Sequence, residues 1–207
     1  IEVLKETNIK EVSKEVFKNN DFDIPIFCNL ETKDYVQTNL IKKFDLNHFI
    51  ENPKEYTSTA FEYLKSTNIL ISAHYWDPAS PKIFEKNDLK ELNNLKVIGD
   101  ITCDVDGSVP TTIRSTTIKN PNFYIDKNTF KETDRKELAI MAVDNLPSEL
   151  PRDSSKEFGD SLINEVIPYM LIEDDGRILN ATITLNGSFL EKYNYLNDYI
   201  KTAWMKY

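Results

Sequence analysis

Three carboxylates, Asp100, Asp104 and Asp106, lie within seven residues and are followed by Gly107. The largely apolar residues 95–98 precede them, as a buried strand would. Ligands of open α/β sheets bind where polar loops follow the carboxyl ends of the strands. An alternative interpretation is that these acids only keep a loop hydrated, since most carboxylates are solvent-exposed. The spacing therefore predicts a strand-end loop, for which ligand binding and simple hydration are both open interpretations.

Two further apolar runs end in polar residues. Residues 69–72 lead into His74, which has a site role and a structural role as open interpretations, and residues 138–143 form the second run. Because the carboxyl ends of parallel strands lie along one edge of a sheet, we expect polar groups from all three runs to face a common crevice. These groups are Tyr75, Asp100, Thr102 and Asp144.

Other kinds of catalytic machinery are not visible in the sequence. The two histidines, His48 and His74, and the two cysteines, Cys28 and Cys103, do not have the spacing of zinc ligands, so we expect no metal. There is no Gly-x-Ser-x-Gly motif and no phosphate-binding Gly-x-x-x-x-Gly-Lys loop. With five glycines in all, the chain also shows no dinucleotide fingerprint. We place His48 on the surface of a helix over residues 45–52, in a structural role.

Composition excludes several classes of partner. The chain has 207 residues and a net charge of −9, with 34 acidic and 25 basic side chains. No cluster of basic residues interrupts the acidic balance, so we expect no nucleic-acid partner. The apolar runs are far shorter than the roughly 20 residues that span a bilayer, so we expect no membrane association. Without a signal-peptide pattern, and with two cysteines, the sequence favours a cytoplasmic protein.

The elements that position the candidate residues alternate between helix and strand, which is typical of an α/β fold with a parallel sheet. We predict a mostly parallel sheet with helices on both faces. Its strands are predicted at residues 9–12, 24–30, 69–72, 97–102 and 138–143. Antiparallel strands are predicted at residues 115–119 and 123–125, and helices at 45–52, 55–65, from 87 or 88 onward, and 190–200.

The residues after Pro151 predict a long helix whose apolar face is formed by Phe158, Leu162, Val166 and Ile167. Residues 178–184 are predicted to be a strand or an extended crossing. At the other end, the chain starts at Ile1 inside a helical pattern with no N-cap before it. We therefore expect the sequence to be part of a longer protein.

Two blocks carry a resemblance to a known family. One is Val97-Ile98-Gly99-Asp100-Ile101-Thr102-Cys103-Asp104, followed by Gly107-Ser108. The other is residues 141–152, with the especially specific Asp-Asn-Leu-Pro-Ser-Glu-Leu-Pro at 144–151, followed by Phe158-Gly159-Asp160. Over Ile1 to about Gly187, the chain resembles the lysine–2-oxoglutarate reductase and saccharopine dehydrogenase group. These enzymes are relatives of alanine dehydrogenase and transhydrogenase.

The resemblance implies two domains. Residues 1–158 would form a Rossmann-like domain that binds NAD or NADP but lacks its first strand and its glycine-rich turn. Residues 159–207 would form a C-terminal helical segment that returns to a second, substrate-binding domain, which is missing. The family's catalytic Lys and His would lie in that missing N-terminal half, so no catalytic residue is assigned in this chain.

The resemblance also implies roles for single residues. Val143, Asp144, Asn145 and Leu146 stand where the family contacts the nicotinamide end of the cofactor. Tyr75 stands where the family packs a residue against the dinucleotide. Asp100, Ile101 and Thr102 stand beside the substrate and the nicotinamide. Ser13 stands at the adenosine ribose, where many members have an acid; this departure weakens the case for NAD over NADP.

The resemblance therefore implies the C-terminal part of an NAD(P)-dependent oxidoreductase of lysine metabolism. Its hydride transfer would occur at the secondary amine of an amino acid, with saccharopine, or lysine plus 2-oxoglutarate, as substrate. Its partner would be the N-terminal half of the same protein, and this chain alone would be inactive. The alternatives are a non-catalytic α/β module that binds a nucleotide or a partner, and an enzyme split between two chains.

Overall fold

The computed structural model describes residues 2–41 and 43–204, in two compact units. One unit ends at Glu149 and the next begins at Leu150. The sequence placed the domain boundary after Phe158. The division into compact units falls at Leu150, where Pro151 opens a new helix and a residue before proline is biased toward extended backbone; the domain boundary after Phe158 stays a prediction. The roles assigned to the two domains stay predictions.

The first unit contains short elements, half of them strands. Its strands are β1 (Lys10–Glu11), β2 (Ile26–Phe27), β3 (Val36–Gln37), β4 (Thr57–Ser58), β5 (Ile69–Ser72), β6 (Val97–Asp100), β7 (Asn122–Ile125) and β8 (Leu138–Met141). Its α-helices are α1 (Glu2–Glu6), α2 (Lys14–Asn19), α3 (Thr32–Tyr35), α4 (Leu46–Glu51) and α5 (Phe61–Leu64). Its 3-10 helices are Pro53–Glu55, Lys86–Lys90 and Leu146–Glu149.

A four-stranded sheet in the order β5-β6-β8-β7 forms the centre of this unit. Strands β5, β6 and β8 are parallel neighbours, and β7 pairs antiparallel with β8. The register pairs Leu70 with Ile98, and Ile98 with Ile140. Short apolar runs without strict alternation are typical of parallel strands covered on both faces. The predicted α/β fold with a mostly parallel sheet is confirmed.

Strands β1 and β2 form a parallel pair of their own instead of joining the central sheet as the sequence predicted. Each has two residues, and the side chains of β1 are exposed. Among the described residues, neither strand hydrogen-bonds to β5, which is the outer strand of the central sheet. The parallel orientation was predicted correctly, but membership of one continuous sheet was wrong because no described strand joins the two parts.

The hydrophobic core packs on β6, β7 and β8. Its fully buried members include Leu89, Leu92, Leu95, Ile98, Val109, Ile125, Leu138 and Ile140. Leu89 comes from the 3-10 helix Lys86–Lys90, which replaces the α-helix predicted from residue 87 or 88. A capping box between Glu85 and Asp88 fixes the start of that helix.

The helix predicted over residues 55–65 is wrong. The chain instead forms a 3-10 turn, the strand β4 and the four-residue helix α5. Strand β4 pairs with β3, and the Ser58 hydroxyl donates to the Ile83 carbonyl at 2.9 Å and accepts from Ala60 N–H at 3.3 Å. Such side-chain bonds let Ser and Thr compete with helix formation. Of residues 115–119, Thr116 and Thr117 make isolated bridges rather than a strand.

The second unit is mainly helical. Its elements are α6 (Pro151–Glu165), α7 (Ile167–Leu171), α8 (Arg177–Ala181), β9 (Thr184–Leu185), β10 (Ser188–Phe189), the 3-10 helix Glu191–Leu196, and α9 (Asn197–Trp204). Helix α6 ends at Glu165, before the predicted Ile167, because Pro168 has no N–H for the next helical bond. Phe158 on the predicted apolar face is 66% exposed.

The extended segment predicted at residues 178–184 is largely helix α8. The Asp174 carboxylate accepts from three backbone N–H groups, those of Gly176, Ile178 and Leu179, and thereby starts the helix. These bonds lower the pKa of Asp174. In the described part of the chain, no helix is both long enough and apolar enough to cross a membrane.

Candidate functional site

The carboxyl ends of three parallel strands meet at one edge of the central sheet. Residues 73–76 follow β5, residues 101–104 follow β6, and residues 142–146 follow β8. Ile101 N–H donates to the Ser72 carbonyl at 2.8 Å, which ties the first two segments together. The topology therefore brings the strand-end residues predicted from the sequence to the same edge.

Asp100 ends β6 with its side chain fully buried, at 0% exposure. Its Oδ1 accepts from the Thr102 hydroxyl at 2.6 Å and from Thr102 N–H at 3.2 Å. Its Oδ2 accepts from the Thr112 hydroxyl at 2.6 Å. Both carboxylate oxygens are thus occupied by the protein. No sequence pattern pointed to Thr112 as a partner of Asp100. The role predicted for Asp100 and Thr102 beside a substrate stays a prediction.

The loop after Asp100 turns tightly. Cys103 and Asp106 adopt left-handed backbone, with φ of 50° and 54°. Gly107 N–H donates to the Asp104 carbonyl at 2.9 Å. A Cβ on Gly107 would lie 2.5 Å from the Asp104 Cβ, closer than real carbon atoms approach, so the turn requires glycine. Left-handed backbone at residues other than glycine is uncommon and concentrates at functional sites. The turn leaves Asp104 exposed at the sheet edge.

His74 is partly buried at the same edge. Its Nδ1 lies 3.2 Å from the Ser72 hydroxyl, and the ring of Tyr35 meets it edge-on at 6.0 Å between centroids. Burial lowers the pKa of His74, and the carboxylates of Asp100 and Asp104 partly oppose that shift. The neutral imidazole is therefore favoured near neutral pH, where one ring nitrogen donates and the other accepts.

The pKa of Cys103 reflects the negative charge at this edge. Burial raises the pKa of its thiol, and the carboxylates of Asp104, Asp100 and Asp144 raise it further. Asp144 follows β8, whereas Asp100 and Asp104 follow β6. Carboxylates from two strand ends therefore act on one side chain. The thiol form is favoured, so Cys103 lacks the lowered pKa typical of a reactive cysteine.

The segment predicted to contact nicotinamide begins inside the sheet and ends outside it. Val143 is buried and bridges to Thr116, whereas Asp144 and Asn145 are exposed. Leu146 is partly buried and begins the 3-10 helix Leu146–Glu149. The Thr116 hydroxyl accepts from Ala142 N–H at 3.1 Å and donates to the Pro121 carbonyl at 2.9 Å. Thr116 thus anchors the start of this segment, a contact the sequence did not reveal.

The remaining candidates differ in position. Tyr75 is 92% exposed at the edge, and Ile101 is also exposed there. Ser13 lies after β1, in the separate strand pair, where its hydroxyl caps α2 by accepting from Val16 N–H at 3.3 Å. His48 is half-buried rather than on the surface, with Nδ1 3.1 Å from the Tyr56 hydroxyl.

In the described residues, the edge presents exposed aromatic and polar side chains without an anion-binding turn. The exposed ring of Tyr75 and the exposed polar side chains of Asp144 and Asn145 could contact a flat, polar ring. A pyrophosphate is normally held by N–H groups of a glycine-rich turn at a helix N-terminus. Residues 2–41 and 43–204 contain no such turn, and no group of three His, Cys, Asp or Glu in those ranges could hold a metal.

Comparison with known proteins gives a consistent set of relatives. Residues 26–192 match the family model described as alanine dehydrogenase/PNT, C-terminal domain. Alpha-aminoadipic semialdehyde synthase of Arabidopsis thaliana is 28% identical over 182 residues, which cover 82% of this chain and 17% of that protein. The mitochondrial alpha-aminoadipic semialdehyde synthase of Mus musculus is 26% identical over 185 residues, which cover 74% of this chain and 20% of that mouse protein.

Saccharopine dehydrogenase (NAD(+), L-lysine-forming) of Schizosaccharomyces pombe is 26% identical over 144 residues, which cover 68% of this chain and 36% of that protein. The chain thus spans between 17% and 36% of the length of these three relatives.

Proposed function

Because the chain belongs to the alanine dehydrogenase/PNT C-terminal domain family, we propose that it forms part of an NAD(P)-dependent oxidoreductase of lysine metabolism. The observation that carries this proposal is the family match over residues 26–192, which includes β5, β6 and β8 and the loops at their shared edge. The finer proposal is hydride transfer at the secondary amine of saccharopine, or the reverse reaction from lysine and 2-oxoglutarate.

The strand order supports a dinucleotide-binding fold. In such folds the parallel strands take the order 3-2-1-4-5-6, with strand 1 in the centre. The pair β2-β1 fits positions 3 and 2, and β5, β6 and β8 fit positions 4, 5 and 6. We propose that the upstream part of a longer protein supplies strand 1 and its glycine-rich turn, between β1 and β5. The same upstream part would supply the substrate domain.

Residues of this chain would bind and orient the reactants. Nicotinamide supplies the hydride chemistry when bound, and the protein contributes position and electrostatics. The backbone of Val143 and the backbone and side chains of Asp144, Asn145 and Leu146 would hold the nicotinamide end. Tyr75 would cover the dinucleotide. Ile101 and Thr102 would line the substrate side. Ser13, after β1, would face the adenosine ribose; its hydroxyl lacks the charge that rejects a 2′-phosphate, so NAD and NADP both remain candidates.

Proton transfer is expected from upstream residues. Moving a proton to or from the amine requires a positioned acid or base, which is worth about 10²- to 10⁴-fold in rate. The proposal assigns that role to residues outside this chain. The isolated chain of 207 residues should therefore show no turnover and should bind dinucleotide weakly.

The test compares a longer protein, which includes the upstream region, with the isolated chain. Absorbance of NADH or NADPH is followed with saccharopine, and with lysine plus 2-oxoglutarate. We expect turnover by the longer protein. We also expect Asp144→Ala to weaken its cofactor binding at least tenfold, which corresponds to about 1.4 kcal/mol. His48→Ala is the control. It should have little effect on turnover and cofactor binding, because His48 lies on α4, where its ring contacts the Tyr56 hydroxyl.

Two results would contradict the proposal. Steady-state turnover by the isolated chain would place the acid, the base and the pyrophosphate site among residues assigned here to other roles. Absence of turnover in the longer protein, with retained nucleotide binding, would favour the alternative of a non-catalytic binding module.

A further inference from the structure

Asp100 accepts hydrogen bonds from both ends of the loop that follows it. Thr102, at the start of the loop, donates twice to Oδ1, and Thr112, near its end, donates once to Oδ2. The Asp100 side chain is fully buried, as is Thr112. A buried carboxylate with both oxygens bonded to the protein is suited to hold backbone in place rather than to meet a ligand.

We propose that Asp100 is a positioning residue that closes loop 101–112 and thereby fixes Cys103 and Asp104 at the strand-end edge beside His74. As far as activity is concerned, the inference rests on the proposed function. It revises the role that the sequence suggested, because Asp100 acts on the reactants through the loop and makes no contact with them.

The hydrogen bonds from Thr102 and Thr112 to Asp100, called here the clamp, differ from the other bonds of the loop. Asp106 N–H donates to the Thr112 carbonyl at 3.0 Å, and Gly107 N–H donates to the Asp104 carbonyl at 2.9 Å. Both bonds lie within the loop. Ile83 N–H also donates to the Ser108 carbonyl at 2.9 Å, which anchors the loop to the segment before the 3-10 helix Lys86–Lys90 but not to β6. The Thr112 hydroxyl makes that link through Asp100. Cys103 and Asp106 already have left-handed backbone, so the loop should open when the link is lost.

Thr111 offers a matched control for Thr112. Both threonines are fully buried neighbours, but the Thr111 hydroxyl has no hydrogen-bond partner among the described residues. Replacing either threonine with valine keeps its shape and removes a hydroxyl. Thr112→Val therefore breaks the clamp, and Thr111→Val breaks no described hydrogen bond. Both variants keep the charge of Asp100.

Asp100 itself can be tested with a second pair. In Asp100→Asn, the amide oxygen can still accept from Thr102, and the amide nitrogen can donate to the Thr112 hydroxyl, which can turn to accept. Asp100→Ala loses every one of these bonds. Because both variants remove the negative charge, they are compared with each other rather than with the unaltered chain.

The measurement is the alkylation rate of each cysteine by iodoacetamide, read by peptide mass spectrometry. Cys103 reports the loop, and Cys28, which follows β2, reports general opening of the same unit. We expect Cys103 to react about tenfold faster in Thr112→Val than in Thr111→Val, and about tenfold faster in Asp100→Ala than in Asp100→Asn. Cys28 should change by less than about twofold within each pair.

Equal Cys103 rates in the two threonine variants would overturn the proposal, as would parallel acceleration of Cys28 and Cys103. Equal Cys103 alkylation rates in Asp100→Asn and Asp100→Ala would overturn it as well. If Asp100→Ala does not fold, the threonine pair decides the question alone.

The longer protein separates this inference from the proposed function. Thr112→Val should lower kcat/KM about tenfold relative to Thr111→Val, since misplaced site groups reduce rate. Unchanged kcat/KM in Thr112→Val, with the loop opened, would overturn the positioning role. No turnover in the unaltered longer protein would contradict the proposed function, and the cysteine rates would still decide whether Asp100 closes the loop.

Discussion

The turn at Gly107 allows a quantitative test of the loop geometry. Gly107→Ala would place a Cβ 2.5 Å from the Asp104 Cβ and 2.8 Å from the Asp104 carbonyl oxygen. Carbon atoms in good contact lie about 3.5–4.0 Å apart, so one side of the turn must move by about 1 Å. The turn is held by the bond from Gly107 N–H to the Asp104 carbonyl at 2.9 Å. The added methyl group should therefore break or distort that bond.

Overpacking of this kind costs about 1–3 kcal/mol. With a urea dependence of about 1–3 kcal/mol per molar, the unfolding midpoint of the first unit should fall by about 1 M. The matched control is Gly159→Ala in α6, where a Cβ would meet no heavy atom within 4 Å. That variant should stabilise the second unit by about 0.5–1 kcal/mol, because alanine is the better helix former.

The assay is urea unfolding monitored by hydrogen exchange, which measures the stability of each unit through that unit's own amides. Strand β8 reports the first unit and α6 reports the second. The reasoning about the turn is refuted if Gly107→Ala leaves the exchange of β8 unchanged, or if Gly159→Ala destabilises α6 by as much as Gly107→Ala destabilises β8.

Three further outcomes are expected. Burial holds the pKa of His74 below its ordinary value of 6.5, so the unfolded chain binds the extra proton first as the pH falls. Stability that is complete above about 6.5 should therefore decline toward lower pH, and His74→Gln should flatten that decline in urea titrations at several pH values. Ser13→Ala removes the cap on α2 and should cost about 1 kcal/mol of local stability, seen as faster hydrogen exchange at Val16. Thr116→Val leaves Ala142 N–H without its hydroxyl acceptor and should destabilise the first unit by about 1–3 kcal/mol in thermal unfolding, whereas an unchanged melting temperature would show that this bond is replaceable.

Local sequence patterns were sufficient for the elements that depend on local interactions. The apolar runs at residues 69–72, 97–100 and 138–141 are strands, as continuous apolar runs of this length favour, although Ile69 and Ile71 of the outer strand β5 are exposed. Ser13 and Asp45 cap α2 and α4 as their side chains favour, through bonds to N–H groups three residues ahead. Sequence blocks around Asp100 and Asp144 also identified the family correctly.

Long-range contacts decided what the local pattern could not. The helical spacing of residues 55–65 gave way to β4, because Thr57 and Ser58 pair with β3, about twenty residues earlier in the chain. A local contact that the apolar pattern does not reveal also mattered: the Asp174 carboxylate accepts from three backbone N–H groups within five residues and starts α8 where an extended segment was predicted. A propensity of a few tenths of a kcal/mol per residue loses to such contacts.

The candidate site shows the same division. The sequence determined which polar residues follow the strands, since composition alone marks the ends of apolar runs. Only the tertiary structure decided that Asp100 turns inward to Thr112 while Asp104 and Asp144 stay exposed at the edge. The physical reason is that a carboxylate has the same sequence signature whether water or a distant hydroxyl satisfies it. The choice between them depends on which group the folded chain brings within hydrogen-bonding distance.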